Sequence, residues 1–345
     1  MHRASLVYYR HRENRLFAPE DRARFHLPFA RLREEFARHG IELNTPDVNA
    51  GRPVLFELHI NAQRRAPAAP AYAYLYENAL VRPRNERPAA LAAYRKVFSW
   101  NPTLAARLAA AGLARPAVVT LPYPNRLAVA DPVPGFSERP HGCVLVATNK
   151  CPAADPRDLY ARRVEAIRAF ETCAPPDYFG LYGRGWEFPP GRPGKLGRLL
   201  TSLRRRLLPP PTARPFPSWH GPVADKDALL RAAKFAICYE NAADIPGYIT
   251  EKIFDCLRAG CVPVYWGPAD IAATVPAGCF VDARAFAGAR DIVARLLATG
   301  AEEHARMQAA GAEFLRSPAA AAFSEEHFAR TLAAEIAADF PASAA

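Results

Sequence analysis

Short apolar runs alternate with stretches of helical periodicity from one end of the chain to the other. In the first third, residues 5–9, 54–59, 71–75, 97–100 and 118–121 read as strands. A helix is expected over 27–39, where Phe29, Leu32 and Phe36 recur on one face, and another over 102–111. Residues 122–140 are Pro-rich and irregular and make the best candidate linker. Beyond them the rhythm becomes regular. Strands at 143–147, 178–182, 235–239, 262–266 and 280–281 are separated by helices at 157–172, 225–233, 250–259 and 270–275. Helices at 285–297, 302–315 and 325–339 close the chain. Strands that alternate with helices predict a parallel sheet covered on both faces. The expected fold class is α/β, with two such domains and a cleft between them.

Composition narrows this picture. A chain of 345 residues holds about two domains of roughly 150 residues each, and half of its residues are hydrophobic, enough for a sizeable core. No run approaches the ~20 apolar residues of a transmembrane helix, and the start, Met1 to Ser5 before Leu6, is too polar for a secretory leader. A soluble, cytoplasmic protein is expected. The seven cysteines show no C-x-x-C pair and no zinc spacing, which predicts reduced, mostly buried thiols. The nine histidines include no i,i+4 pair, and His220 beside Trp219 reads as structural.

The net charge of +11 invites an anionic partner: a nucleotide, a phospholipid surface or a nucleic acid. The densest basic run lies in 191–214. It sets Lys195, Arg198, Arg204, Arg205, Arg206 and Arg214 among Leu196, Leu199, Leu200, Leu203, Leu207 and Leu208. The leucines fall at helical spacing, so a short basic amphipathic helix is expected, ended by the prolines at 209–211. Such a helix suits peripheral contact with an anionic membrane. The plainer alternative is a solvated insertion packed on its domain. Leucines, not stacking aromatics, interleave the cations, which argues against nucleic acid.

The most informative stretch is 239–267. An apolar strand delivers a polar loop, the loop feeds a helix start at Tyr248-Ile249-Thr250-Glu251-Lys252, and a second apolar run follows from Cys261. Polar residues are thus concentrated where an α/β sheet binds ligands. The start of the helix exposes unpaired N–H groups and carries partial positive charge. Lys252 in the first turn opposes that dipole, which makes sense if an anion such as a diphosphate sits there. Asn241 and Glu251 are placed to hold sugar or ribose hydroxyls, and Tyr248 to stack or hydrogen bond. Asp225-Lys226-Asp227 is formally a D-x-D triplet, but it opens a helix where Asp225 is a natural N-cap, so no metal site is expected.

This stretch resembles the signature of glycosyltransferase family 10, the α-1,3/4-fucosyltransferases. Tyr239, Glu240, Asn241, Tyr248, Thr250, Glu251, Lys252, Ala259, Gly260, Pro263, Tyr265, Trp266 and Gly267 stand in the family's pattern. The resemblance extends upstream to Trp219–Lys226, to Tyr182-Gly183-Arg184, and to 147–150 with 159–164, which includes Asn149. An arginine on that last helix binds the donor diphosphate in the family; Arg163 fits best and Arg162 is the alternative. The match is weaker in the first half, where 74–78, 81–85 and 97–101 resemble bacterial members and Glu77 takes the place of the proposed general base.

The resemblance implies a GT-B-like fold, two Rossmann-like domains with parallel sheets facing a central cleft, and an inverting transfer of L-fucose from GDP-β-L-fucose to a glycan hydroxyl, with an α-1,3-type linkage. It implies donor binding by Asn149, Arg163, Lys226, Glu240, Asn241, Tyr248, Thr250, Glu251 and Lys252, with no metal or other cofactor. The expected division is 1–125 for the acceptor, 126–140 as linker, 141–320 for the donor with the insertion 191–214, and 321–345 as C-terminal helix and tail. The alternatives are a GT-B transferase using another nucleotide sugar and a non-catalytic basic protein bound at a membrane surface.

Overall fold

The computed structural model describes residues 2–8, 11–18 and 27–340. Tyr9, at the end of the first expected strand, and the tail beyond Phe340 lie outside the described residues. The chain divides into two compact units. The first takes the chain up to Arg126, the tripeptide Pro246–Tyr248 and the chain from Ala321; the second takes Leu127–Ile245 and Ile249–Ala320.

In the first unit, strands β1 (His2–Val7), β2 (Ile41–Asn44), β3 (Glu57–Ile60), β4 (Ala71–Leu75), β5 (Lys96–Ser99) and β6 (Ala117–Thr120) form one sheet. Its order is β2-β1-β3-β4-β5-β6 and every pairing is parallel. Sequence periodicity does not announce β2. It is four residues long and follows directly on helix α1 (Leu27–Arg38) across the left-handed turn at Gly40. The strand expected at 54–59 begins only at Glu57. Helices α2 (Pro88–Leu91) and α3 (Leu104–Ala110) complete the crossovers after β4 and β5. Phe29, Leu32 and Phe36 of α1 are fully buried, each contributing about 1.5–3 kcal/mol. They share one core with Phe328, Leu332 and Ile336 of the last helix, Glu325–Ala337, so the chain's end is part of this unit's core.

In the second unit, strands β7 (His141–Val146), β8 (Phe179–Tyr182), β9 (Ala233–Tyr239), β10 (Val262–Trp266) and β11 (Val281–Asp282) are again all parallel, in the order β11-β10-β9-β7-β8. Helices α4 (Tyr160–Cys173), α5 (Gly194–Leu207), α6 (Lys226–Arg231), α7 (Glu251–Arg258), α8 (Ala289–Ala298) and α9 (Ala301–Arg316) accompany them. After β8 the chain crosses to the other side of β7 to lay down β9. The order therefore reverses between β7 and β9, the place where open α/β sheets bind ligands. The loops after β7 and β8 touch there: a side chain on Gly183 (φ +125°) would lie 1.9 Å from the Ala147 carbonyl oxygen.

The start of this unit is held by a buried arginine that periodicity does not reveal. Arg139 is 1 % exposed. Its guanidinium donates to the carbonyls of Pro134, Leu230, Ala233 and Ala259 at 2.7–3.1 Å. Burial pulls its pKa down. Replacing it strands these carbonyls away from water. Arg139→Met is expected to lower unfolding stability by about 3–5 kcal/mol, read from the urea midpoint; a loss below about 1 kcal/mol would show that the staple is dispensable.

Candidate active site

The loop 239–250 is fixed from beneath. Glu240 continues β9 by one residue, its amide donating to the Trp266 carbonyl at 2.8 Å. Its side chain is fully buried. One carboxylate oxygen accepts from the Thr250 amide at 2.8 Å and the Tyr265 hydroxyl at 3.2 Å. The other accepts from the Thr250 hydroxyl at 2.7 Å and Lys252 Nζ at 2.9 Å. A buried carboxylate needs such pairing, and four donors supply it. Glu240 and Thr250, expected to bind a donor, are thereby built into the loop as positioning residues. Lys252 also changes its meaning: the cation in the first turn of α7 has its counter-ion in Glu240. Burial pulls the Lys252 pKa down, but Glu240 and Glu251 more than offset this and it is raised, so the ammonium stays charged at neutral pH. Glu251 keeps 41 % of its side chain exposed, 3.9 Å from Lys252 Nζ.

Because the Thr250 hydroxyl is engaged by Glu240, it does not cap α7. The first N–H groups of that helix keep their dipole end without a side-chain cap from its N-cap residue.

Arg163 holds the same loop from the α4 side. It is 5 % exposed, and Nη2 donates to the carbonyls of Tyr239 at 2.7 Å and Glu240 at 2.8 Å and to Asn241 Oδ1 at 3.2 Å. Nε and Nη1 have no hydrogen-bond partner among the described residues. Its guanidinium lies 4.7 Å from the Tyr160 ring centroid. Arg162 instead points outward, half-exposed and paired with Glu165 at 2.8 Å. Of the two candidates, Arg163 is the one that reaches the loop. The loop also pairs with the approach to α4, through Ala243 N to Arg157 O at 2.8 Å and Leu159 N to Asn241 O at 3.3 Å.

The remaining expected donor residues divide. Asn149, at the end of the β7 loop, is buried and clamps its neighbours, Nδ2 donating to the Gly185 and Phe188 carbonyls at 2.8 and 2.9 Å. Lys226 bonds Asp255 at 2.8 Å and ties α6 to α7; burial pulls its pKa down, Asp255 and Glu251 lift it, and the net shift is upward. Tyr248 is buried and groups with the first unit, its ring centroid 4.7 Å from that of Trp100. The structure therefore does not bring Tyr248 together with Arg163 and Lys252 in one unit. Asp225 is the N-cap of α6, accepting from the amides of Asp227 and Ala228 at 2.9 and 3.1 Å. Among the described residues no group of three or more His, Cys, Asp or Glu is disposed to hold a metal.

Glu77 lies in the first unit, two residues beyond β4. Its amide donates to Asn61 Oδ1 at 2.8 Å and its carbonyl accepts from Asn85 Nδ2 at 2.6 Å. Asn61 sits after β3 in the left-handed region (φ +64°), a conformation that asparagine tolerates. It lines a cavity of about 550 Å³ with Gln63, Arg64, Arg65, Arg82 and Arg84. Asn85 closes the stretch 81–85 that the sequence singles out, whereas Asn61 was not legible as a partner of Glu77. The one signal is an asparagine at a strand end, which is common in turns.

The family model described as glycosyltransferase family 10 (fucosyltransferase) C-term matches residues 216–308. Residues 216–308 are thus similar to the C-terminal domain of glycosyltransferase family 10. The matched segment includes Lys226 and the loop from Glu240 to Lys252; Glu77, Asn149 and Arg163 lie outside it. An α-(1,3)-fucosyltransferase of Helicobacter pylori is 36 % identical over 64 residues, 19 % of this chain and 13 % of that protein. The chain therefore aligns with a small part of that relative's length. Among solved structures, sucrose-phosphate synthase from Thermosynechococcus elongatus superposes with a TM-score of 0.59 at 13 % identity, covering 99 % of this chain and all of that one. An α1,3-fucosyltransferase solved with GDP gives 0.51 at 12 % identity, covering 99 % and 91 %. Likeness at such identity shows the fold: two parallel-sheet α/β domains of the GT-B kind.

The loop around Glu240 yields a stability prediction. Glu240→Gln removes the counter-ion of Lys252 and keeps the shape. Breaking a fully buried pair costs about 3–5 kcal/mol. Lys252 keeps 21 % of its side chain in water, so a loss of about 2–3 kcal/mol is expected. A variant as stable as the parent in thermal or urea unfolding would show that Glu240 does not hold the loop.

Proposed function

We propose that this protein is an inverting fucosyltransferase that moves L-fucose from GDP-β-L-fucose to a hydroxyl of a glycan acceptor, in an α-1,3-type linkage. One observation carries the reading. At the β7–β9 switch point Glu240 and Asn241, Arg163 and the start of α7 converge in a single unit. The family match over 216–308 and the fold shared with a fucosyltransferase solved with GDP support it.

In this reading the diphosphate is met by Arg163, whose remaining N–H groups pair with phosphate oxygens, by Lys252 and by the N-terminus of α7. These groups stabilise the negative charge that grows on GDP as it departs. They do so without a call on a metal. Asn241 and Glu251 take sugar and ribose hydroxyls, while Glu240, Thr250, Asn149 and Lys226 keep the contact groups in register. The first unit takes the acceptor, and the cavity at Asn61 lies next to the proposed base. Glu77 removes the proton from the attacking hydroxyl as that oxygen approaches fucose C1 on the face opposite GDP, which inverts the configuration. The proposed place of action is the cytoplasm.

Donor choice separates this reading from a transferase of another nucleotide sugar. Calorimetry is expected to show GDP-fucose binding ahead of GDP-mannose and UDP-glucose. Arg163→Ala is expected to weaken that binding by about 30-fold or more. Glu77→Gln should leave donor affinity intact and lower turnover about 10²–10⁴-fold, with wild-type turnover unchanged by a chelator. Preference for a UDP sugar would sink the donor assignment, and undiminished turnover in the Glu77 variant would remove it as the base.

A further inference from the structure

Helix α5 is packed with its apolar side outward. Gly197 is buried, and Gly194, Thr201 and Arg205 are half-buried; at 3.6 residues per turn these four share one side of the helix. Arg205 reaches inward from that side, Nη1 donating to the Asn149 carbonyl at 2.8 Å. The opposite side carries Leu196, Leu199, Leu200, Leu203 and Leu207, exposed by 69, 56, 48, 44 and 72 %. Together they form a stripe spanning about 100° of the helix. Arg206 and Arg204 border that stripe on either side, both exposed, and neither has an ion-pair partner among the described residues. The segment 191–214 carries seven cations and no acidic residue.

We propose that α5 docks this protein on an anionic lipid bilayer, the leucine stripe entering the boundary between headgroups and acyl chains and the flanking arginines meeting lipid phosphates. The pattern selects this partner. A protein groove would cover the leucines but would not call for cations on both margins. A bilayer surface presents an apolar layer beneath a plane of negative charge, which matches a leucine stripe edged by arginines. Among the described residues no helix is long and apolar enough to cross a membrane. The association is accordingly peripheral and salt-sensitive. The inference stands on the helix alone and does not depend on the sugar that the enzyme transfers.

Co-sedimentation of the full chain with two kinds of vesicle tests it: phosphatidylcholine alone, and phosphatidylcholine with an equal amount of phosphatidylglycerol. The protein is expected to pellet with the anionic vesicles and to be released by salt. Arg204→Gln with Arg206→Gln should weaken partition about 25-fold, at roughly fivefold per cation. Leu199→Ser, Leu203→Ser and Leu207→Ser together should weaken it about 100-fold or more. Circular dichroism and an unchanged GDP affinity would show that these variants are folded. Three results overturn the proposal: no binding to the anionic vesicles, equal binding by the leucine variant, or a dimer in sedimentation that the leucine variant abolishes while vesicle binding is absent.

Discussion

The second unit depends on one buried carboxylate. Glu240 has no exposed surface, and it meets donors from three places: the amide and hydroxyl of Thr250, the ammonium of Lys252 and the hydroxyl of Tyr265. A carboxylate in a dry interior costs several kcal/mol unless paired. Here its donors are the end of β10 and the entry to α7, so satisfying the charge and shaping the loop are one event. The same event has an electrostatic by-product. A threonine at the head of a helix ordinarily bonds a first-turn N–H, but Thr250 is turned to Glu240. The helix end keeps its partial positive charge for something else.

Around this centre the chain separates groups that position from groups that are left to make contact. Asn149 and Arg163 both spend hydrogen bonds on backbone carbonyls, one across the β7 and β8 loops and one across the end of β9. Lys226 fixes α7 through Asp255. Rigidity of this kind is what an anion site requires, because a phosphate oxygen is recognised by donors held in place before it arrives.

Much of this was legible. Strand and helix alternation gives the parallel sheets, Asp225 reads as a cap because it precedes an apolar helix, and the 239–267 pattern marks the switch-point loop. Other features were not legible, for physical reasons. β2 is too short for an alternation to emerge. Glu240 reads as a polar loop residue because only the fold shows that four donors surround it. The pairing of Lys252 with Glu240 was hidden because the counter-ion stands twelve residues earlier, a separation that helical spacing cannot reveal. Tyr248 sits in the midst of the signature, yet the chain at 246–248 groups with the first unit and the ring rests on Trp100. Arg139 looked like one more arginine in an arginine-rich chain; its burial follows from the carbonyls that converge on it.

The chain's positive charge is therefore not accounted for by its candidate site. There Arg163 is occupied partly by backbone, and Lys252 is balanced by Glu240. Seven cations with no acid among them lie instead in the segment that contains α5. Burying a leucine is worth about 1.5–3 kcal/mol, and α5 forgoes this at five positions while it turns glycine, threonine and arginine toward its own unit. A helix selected only to pack on that unit would carry the reverse pattern, with leucines at 194, 197, 201 and 205. The side chains chosen for the inward face allow close approach and a hydrogen bond to the Asn149 carbonyl, and little else. In the proposed docking on an anionic bilayer, that outward apolar face supplies the free energy of binding, and the arginines at its margins set the charge that the surface must bear.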